Sequence, residues 1–300
     1  MVKRSAKTFT VSGQPRIDGF LRGALDLSWG KARALVEQGK VFVDGARILD
    51  SAAPLRDGQS VEINERAPRP SAQVPDDLIV YVDAHVVVVR KPAGISTVPF
   101  EEDERGTLDA LVRRAIEKKF PSKGSRPNLG VVHRLDKETS GLVVFTRTWL
   151  AKKSLSSQFR AHTTERRYLA IAHGVVPKRT ITSNLVPNRG DGLRGSGHGE
   201  GQRAVTHVEP IEKLNGATLV SVKLETGRTH QIRIHLSEMG HPILGERVYS
   251  RNFRGPMIAA PRVMLHATEL GFVHPATERD VHWEEKPPKD FIETLERLRA

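Results

Sequence analysis

Residues 131–145 constrain this chain more than any other stretch. Two short apolar runs, Val131-Val132 and Leu142-Val143-Val144-Phe145, flank a polar loop that ends in Gly141. The runs are short and rich in β-branched residues, which suits strands, and the glycine suits a turn. The pattern predicts strand, loop, strand, with a few polar side chains held at a fixed place on a sheet. Asp136 is the carboxylate at the root of that loop. It has two readings, a turn-former, the usual task of aspartate in loops, or a reacting carboxylate.

Before this loop the chain organises itself in steps. Residues 1–12 are polar and basic and are expected to be a flexible tail. Ile17, Phe20, Leu21, Ala24 and Leu25 recur at helical spacing. Ser28 is a good N-cap for a second helix that stops at Gly39, and Val41 and Val43 alternate into a turn at Asp44-Gly45. Two short helices and a small sheet over 13–66 make a compact module. Residues 67–77 carry three prolines and no periodicity, as in a linker. The remainder, 78–300, is long enough for a domain of ordinary size.

Within 78–300, Leu78 to Val82 and Val86 to Val89 read as strands, and Leu108 to Phe120 as a helix. Leu150, Ala151, Leu155 and Phe159 mark another helix, and Arg166 to Val176 a strand that carries Tyr168. Six glycines between Asn188 and Gly201 invite a phosphate-loop reading. The required lysine motif is absent, so a mobile loop is expected there. Ala217 to Leu224 alternates as a strand, and Thr229 is placed to cap a helix that ends at Gly240. Phe291 to Leu298 suits a short closing helix.

Charge speaks to partners. The net charge is +12, and residues 1–66 hold eleven Lys and Arg against eight Asp and Glu, so the surplus is not confined to one end. Such a surface favours a polyanion, and nucleic acid is the commonest. Lys31, Arg33 and Lys40 lie on or just after the second helix, where they either meet RNA phosphates or merely solvate a helix face. The absence of cysteine excludes disulfides, thiolate-ligated zinc and catalysis through a cysteine adduct. The first residues lack the apolar core of a signal peptide, and Val86 to Val89 is too short to span a bilayer, so a cytoplasmic location is expected.

The wording of several strings is more specific than their periodicity. H-R-L-D-K-E-T-S-G-L at 133–142 resembles the active-site signature of the RluA-type RNA pseudouridine synthases. K-P-A-G at 91–94, R-R-Y-L-A-I at 166–171, T-G-R-T-H-Q-I-R-I-H at 226–235 and H-P-I-L-G at 241–245 resemble further motifs of that family, in the same order. Residues 16–63 resemble the alpha-L RNA-binding module. The resemblance implies an α+β protein: the small module, then a catalytic domain with a mixed, mainly antiparallel sheet and a central active-site cleft.

It also implies the chemistry, isomerisation of uridine to pseudouridine in structured RNA. Large-subunit ribosomal RNA is favoured over transfer RNA as the partner, and neither cofactor nor metal is implied. Asp136 would be the catalytic carboxylate, Arg233 the cation that keeps it ionised, and Tyr168 the ring stacked on the target base. Arg134 would fill the gap left by the flipped base or hold the strand. Arg228 and His133 would line the substrate site, with His133 also open to reading as a base or a metal ligand. Arg166 stands where the family often has lysine, which keeps the charge. Two other classes compete: a non-catalytic RNA-binding or ribosome-assembly factor, and a metal-dependent nuclease or hydrolase using Asp136 and His133.

Overall fold

The computed structural model describes residues 7–13, 15–67, 74–100, 104–120, 128–197 and 199–300. The chain divides into two compact units, residues 1–72 and 73–300. The proline-rich stretch expected to be a linker falls largely on residues 68–73, outside the described residues.

The N-terminal unit runs β1 (Lys7–Thr10), α1 (Ile17–Leu25), α2 (Trp29–Glu37), β2 (Val41–Val43), β3 (Ala46–Ile48) and β4 (Ser60–Ile63). Its antiparallel sheet has the order β1-β4-β2-β3. Ser28 caps α2 by accepting from the Lys31 amide at 3.4 Å. Asp44 and Gly45 both take positive φ, 49° and 78°, the turn that joins β2 to β3 without splaying them. Ile17 and Leu21 of α1, Ala32 and Val36 of α2, and Val41 and Val61 of the sheet close the core. Residues 7–10 depart from the expected tail. They pair with β4, Phe9 opposite Val61, and the Phe9 ring packs edge-on against Phe20 at 6.5 Å. That apolar anchor outweighs the polar composition around it.

The larger unit begins with β5 (Ile79–Val82), β6 (Val86–Lys91), α3 (Leu108–Lys119), β7 (Gly130–Val131), β8 (Ser140–Thr146) and α4 (Trp149–Ala161). It continues with β9 (Glu165–His173), β10 (Arg179–Val186), β11 (Gly195–Ser196), β12 (Gln202–Lys213), β13 (Ala217–Leu224) and α5 (Gln231–Glu238). It ends with β14 (Leu265–Val273), β15 (Asp280–Glu284) and α6 (Lys289–Arg299). One sheet of eleven strands has the order β11-β10-β12-β13-β9-β14-β8-β6-β5, with β7 on β8 and β15 on β14. The only parallel pair among the described strands is β8 with β14, so the sheet is mixed and mainly antiparallel, as expected.

At that parallel junction Gly141 has φ of 120°. A β-carbon there would lie 2.2 Å from the Ala267 carbonyl oxygen, so only glycine admits the approach of the two backbones. Ala151 and Leu155 of α4 pack with Val86 and Val88 of β6, Leu142 and Val144 of β8, and Leu270 and Phe272 of β14.

Two local expectations are corrected. Thr229 does not cap α5. The cap is His230, left-handed at φ 60° with no side-chain cap bond. Gln231 organises this end instead. Its carbonyl oxygen accepts from the Arg228 amide and the Thr226 hydroxyl, and its amide donates to Val205 O and Thr206 Oγ1. The glycine-rich segment is also more built than a plain loop. Asn188 Oδ1 accepts from the amides of Gly190 and Gly192, and Gly195 and Ser196 pair with β10. Ser196 gives both its amide and its hydroxyl to Glu238. His198 lies outside the described residues. No helix among the described residues is long and apolar enough to cross a membrane.

Candidate active site

A cavity of about 490 Å³ opens over the middle of the sheet. The loop between β7 and β8, the start of β9, the segment before α5 and one side of α4 supply its walls. That volume lies in the usual range for small-molecule sites. Of the sequence-predicted residues, Asp136, Arg233, Tyr168, Arg134, Arg228 and His133 all line it. Lys31, Arg33 and Lys40 belong to the N-terminal unit.

The loop that carries Asp136 is fixed from below. The Thr139 amide donates to Asp136 O at 3.1 Å, which closes the turn. Thr97 Oγ1 donates to Leu135 O at 2.9 Å and lies 3.1 Å from the Leu135 amide. Lys91, with 1% of its surface exposed, donates to the carbonyls of Pro92, Lys137 and Thr139 at 3.1, 2.9 and 2.7 Å. Burial pushes its ammonium down to about 7, against the opposing pull of Asp136 and Glu138. Glu138, two residues after Asp136, is a loop residue whose backbone carbonyl accepts from Arg262 at 3.1 Å.

The Asp136 carboxylate remains reachable, with 19% of its side chain exposed. Arg233 Nη1 stands 3.7 Å from Oδ2, and His230 Nε2 stands 3.9 Å from Oδ1. Both are longer than hydrogen bonds; the first is an ion-pair distance, while burial pushes His230 down towards its neutral form. The guanidinium is held from its other side. Arg233 Nε and Nη2 donate to the two oxygens of Glu246 at 2.6 and 3.0 Å. Burial works against the Glu246 carboxylate, but the hydrogen bonds and charge of Arg233, with the Val248 and Tyr249 amides, prevail and hold it below the usual range. The Tyr249 ring covers the guanidinium at 5.4 Å, and its hydroxyl meets His230 Nδ1 at 2.7 Å.

Tyr168 lies on β9 between Val222 of β13 and Ala267 of β14 and is 7% exposed. Arg166, two residues earlier on the same face, is also buried. It donates to Glu225 O at 2.7 Å, and its guanidinium lies 5.6 Å from the Phe159 ring centre. Its Nε has no partner. Gly227 makes room for it, since a β-carbon there would sit 2.6 Å from Nη1.

His133 has a different job from the base or metal ligand it was open to. Its Nε2 accepts from the Val144 amide at 3.0 Å, and its ring stacks on Phe159 at 4.5 Å. Burial and then Arg166 push it down to about 3, so it stays neutral. With Nε2 occupied it walls the cavity and takes no proton there. No cluster of three or more His, Asp or Glu suited to a metal occurs among the described residues. Arg134 Nη2 donates to Thr229 Oγ1 at 3.2 Å across the cavity mouth, and Arg228 Nε donates to Arg203 O at 3.1 Å.

In the N-terminal unit, Lys31 is exposed. Arg33 pairs with the buried Asp18 at 3.1 Å, and Lys40 donates to Ala67 O. Sequence reasoning missed Glu246, Tyr249 and His230. His230 stood inside a quoted motif and Glu246 directly after another, but nothing in the spacing said that the two segments meet.

Residues 85–238 match the family model described as RNA pseudouridylate synthase. A Zymomonas mobilis protein named ribosomal large subunit pseudouridine synthase D is 34% identical, over 88% of this chain and 87% of its own. A Pseudomonas aeruginosa protein of the same name is 33% identical over 100% and 97%. Among solved structures, human RNA pseudouridylate synthase domain containing 4 superposes with a TM-score of 0.61 and 25% identity, covering 74% of this chain and 92% of its own.

Proposed function

The chain belongs to the RNA pseudouridylate synthase family and isomerises uridine to pseudouridine in RNA, and from that premise we propose that large-subunit ribosomal RNA is its substrate and Asp136 its catalytic carboxylate. The first part follows the names of its relatives. The second is carried by one observation. Asp136 is the only carboxylate among the described residues lining the cavity, and the Arg233 guanidinium stands 3.7 Å from it.

The reaction breaks the bond between N1 of uracil and the anomeric carbon and joins C5 of the turned base to that carbon. C5 loses a proton and N1 gains one. Substrate and product are isomers, so no net oxidation or reduction occurs. Asp136 serves as nucleophile toward the anomeric carbon or C6, or as base toward a sugar proton. Each role needs an ionised carboxylate close to the nucleotide, and Arg233 supplies the matching charge.

Tyr168 is the platform for the base, a stacking contact worth about 1–3 kcal/mol. A uridine in structured RNA reaches this depth only when flipped out. Arg134, at the rim, meets the strand left behind. Arg228 and Arg166 supply positive charge toward the phosphates, while His133 contributes shape. In the N-terminal unit, Lys31 with Arg33 and Lys40 would anchor flanking RNA through its backbone. A cytoplasmic place of action goes with this substrate.

The test uses ribosomal RNA transcribed with tritium at C5 of uridine. The protein releases label to water, and Asp136→Asn abolishes release while keeping the thermal midpoint. Retained turnover in that variant would end the assignment of Asp136.

A further inference from the structure

Resting on the reading that RNA is the substrate, we propose that the outer face of α4 is the track along which RNA approaches the cavity, with a nucleobase stacked on Trp149. Trp149, Lys153, Ser156 and Arg160 follow one another at spacings of four, three and four residues. At about 100° per residue they fall within about 60° of the helix circumference. The stripe is therefore straight and about 16 Å long. Its inner end, Ser156 and Arg160, lines the cavity that holds Asp136. Its outer end is Trp149, 72% exposed.

Exposure of one indole is ordinary; what sets Trp149 apart is what stands beside it. Lys153 Nζ lies 5.4 Å from the Trp149 ring centre. Phosphate-binding charge and a stackable ring thus stand side by side, the pairing that binds single-stranded nucleic acid. The helix contains three basic residues, Lys152, Lys153 and Arg160, and no acidic one. None of the three is in an ion pair among the described residues. Neighbouring Val131, also exposed, carries the same surface to the cavity wall. A basic stripe continuous with the cavity, with an aromatic ring at its far end, fits a polyanion whose bases present π-faces. An acidic protein surface would satisfy the lysines and leave the ring unused.

The experiment measures RNA binding and turnover separately, using the full chain and a large-subunit ribosomal RNA transcript labelled with tritium at C5 of uridine. Trp149→Ala weakens apparent Kd and raises KM roughly tenfold, the loss of one stacked base. The loss falls on KM rather than kcat. Trp149→Phe recovers most of it. Lys153→Gln lowers the slope of log Kd against log salt by about one phosphate's share. Ile211→Ala, an exposed apolar side chain on β12, serves as the control and matches wild type.

Wild-type Kd, KM and salt slope in both stripe variants would overturn the track. So would a loss confined to kcat and accompanied by a lowered thermal midpoint, since that is a packing defect. RNA that binds through α4 yet releases no tritium from wild type would instead defeat the reading of the substrate.

Discussion

Glu246 takes the guanidinium of Arg233 in both of its carboxylate oxygens, at 2.6 and 3.0 Å, while the same guanidinium faces Asp136 at 3.7 Å. Arg233 is thus aimed from behind by a residue whose side chain is fully buried. A bidentate pair fixes the plane of the guanidinium as well as its position.

Glu246→Gln keeps the shape and loses the charge. Turnover at saturating RNA should fall about 100-fold, the usual cost of a misplaced catalytic partner. Glu246→Ala leaves Arg233 buried without its partner and should cost about 3–5 kcal/mol of stability. Tritium release and urea unfolding measure the two effects. A Gln variant as active as wild type would remove the positioning role.

Lys91→Met should loosen the loop that carries Asp136. Three carbonyls lose their donor at once. Unsatisfied buried groups cost about 1–3 kcal/mol each. A combined loss of about 3 kcal/mol is expected in urea unfolding, with reduced turnover even where the protein is fully folded. Full turnover in a folded Met variant would count against this support.

Gly141→Ala tests the junction of β8 and β14. The added carbon would meet the Ala267 carbonyl at 2.2 Å, and φ of 120° is hostile to any side chain. Overpacking and backbone strain together should cost at least about 3 kcal/mol. A variant with an unchanged denaturation midpoint would contradict the close approach.

The histidines set the acid side of the stability curve. His133 is pushed down to about 3, by burial first and Arg166 second, and burial takes His235 and His266 to about 4. In the unfolded chain these groups titrate near 6.5. Between those values the unfolded state binds protons that the folded state refuses. The contribution of these histidines is therefore full above 6.5 and falls as pH drops below it, by up to about 1.4 kcal/mol per pH unit for each histidine. His133→Gln, whose side-chain oxygen can still accept from the Val144 amide, should flatten this slope. Urea unfolding on both sides of 6.5 gives the comparison, and parallel slopes would refute it.

Much of this was legible in the sequence, for identifiable reasons. The strands β6 and β8 announced themselves as valine-rich runs because both of their faces are buried, and α1 and α4 as apolar stripes because each buries one face. The Asp136 loop was legible because a glycine and two apolar runs bound it. What escaped depended on contacts between distant segments. Glu246 looked like any charged residue after a turn, since its meeting with Arg233 exists only once the segment after α5 folds back. His133 sat three residues before Asp136 in sequence and invited a chemical role, yet its ring accepts from the Val144 amide and stacks on Phe159. Residues 7–10 lacked any local signal beyond Phe9, and became a strand because β4 offered an unpaired edge.

Asp136, Tyr168 and Arg233 are each mounted on something stiff: a loop stapled by Lys91, an interior strand, and a helix buried through six consecutive residues. Little adaptability is left on the protein's side of the encounter. The deformation must come from the ribonucleotide chain, and the cheapest uridines to extract are those already poorly stacked. Uridines in bulges, hairpin tips or mismatches should therefore react ahead of the same base inside a long uninterrupted helix.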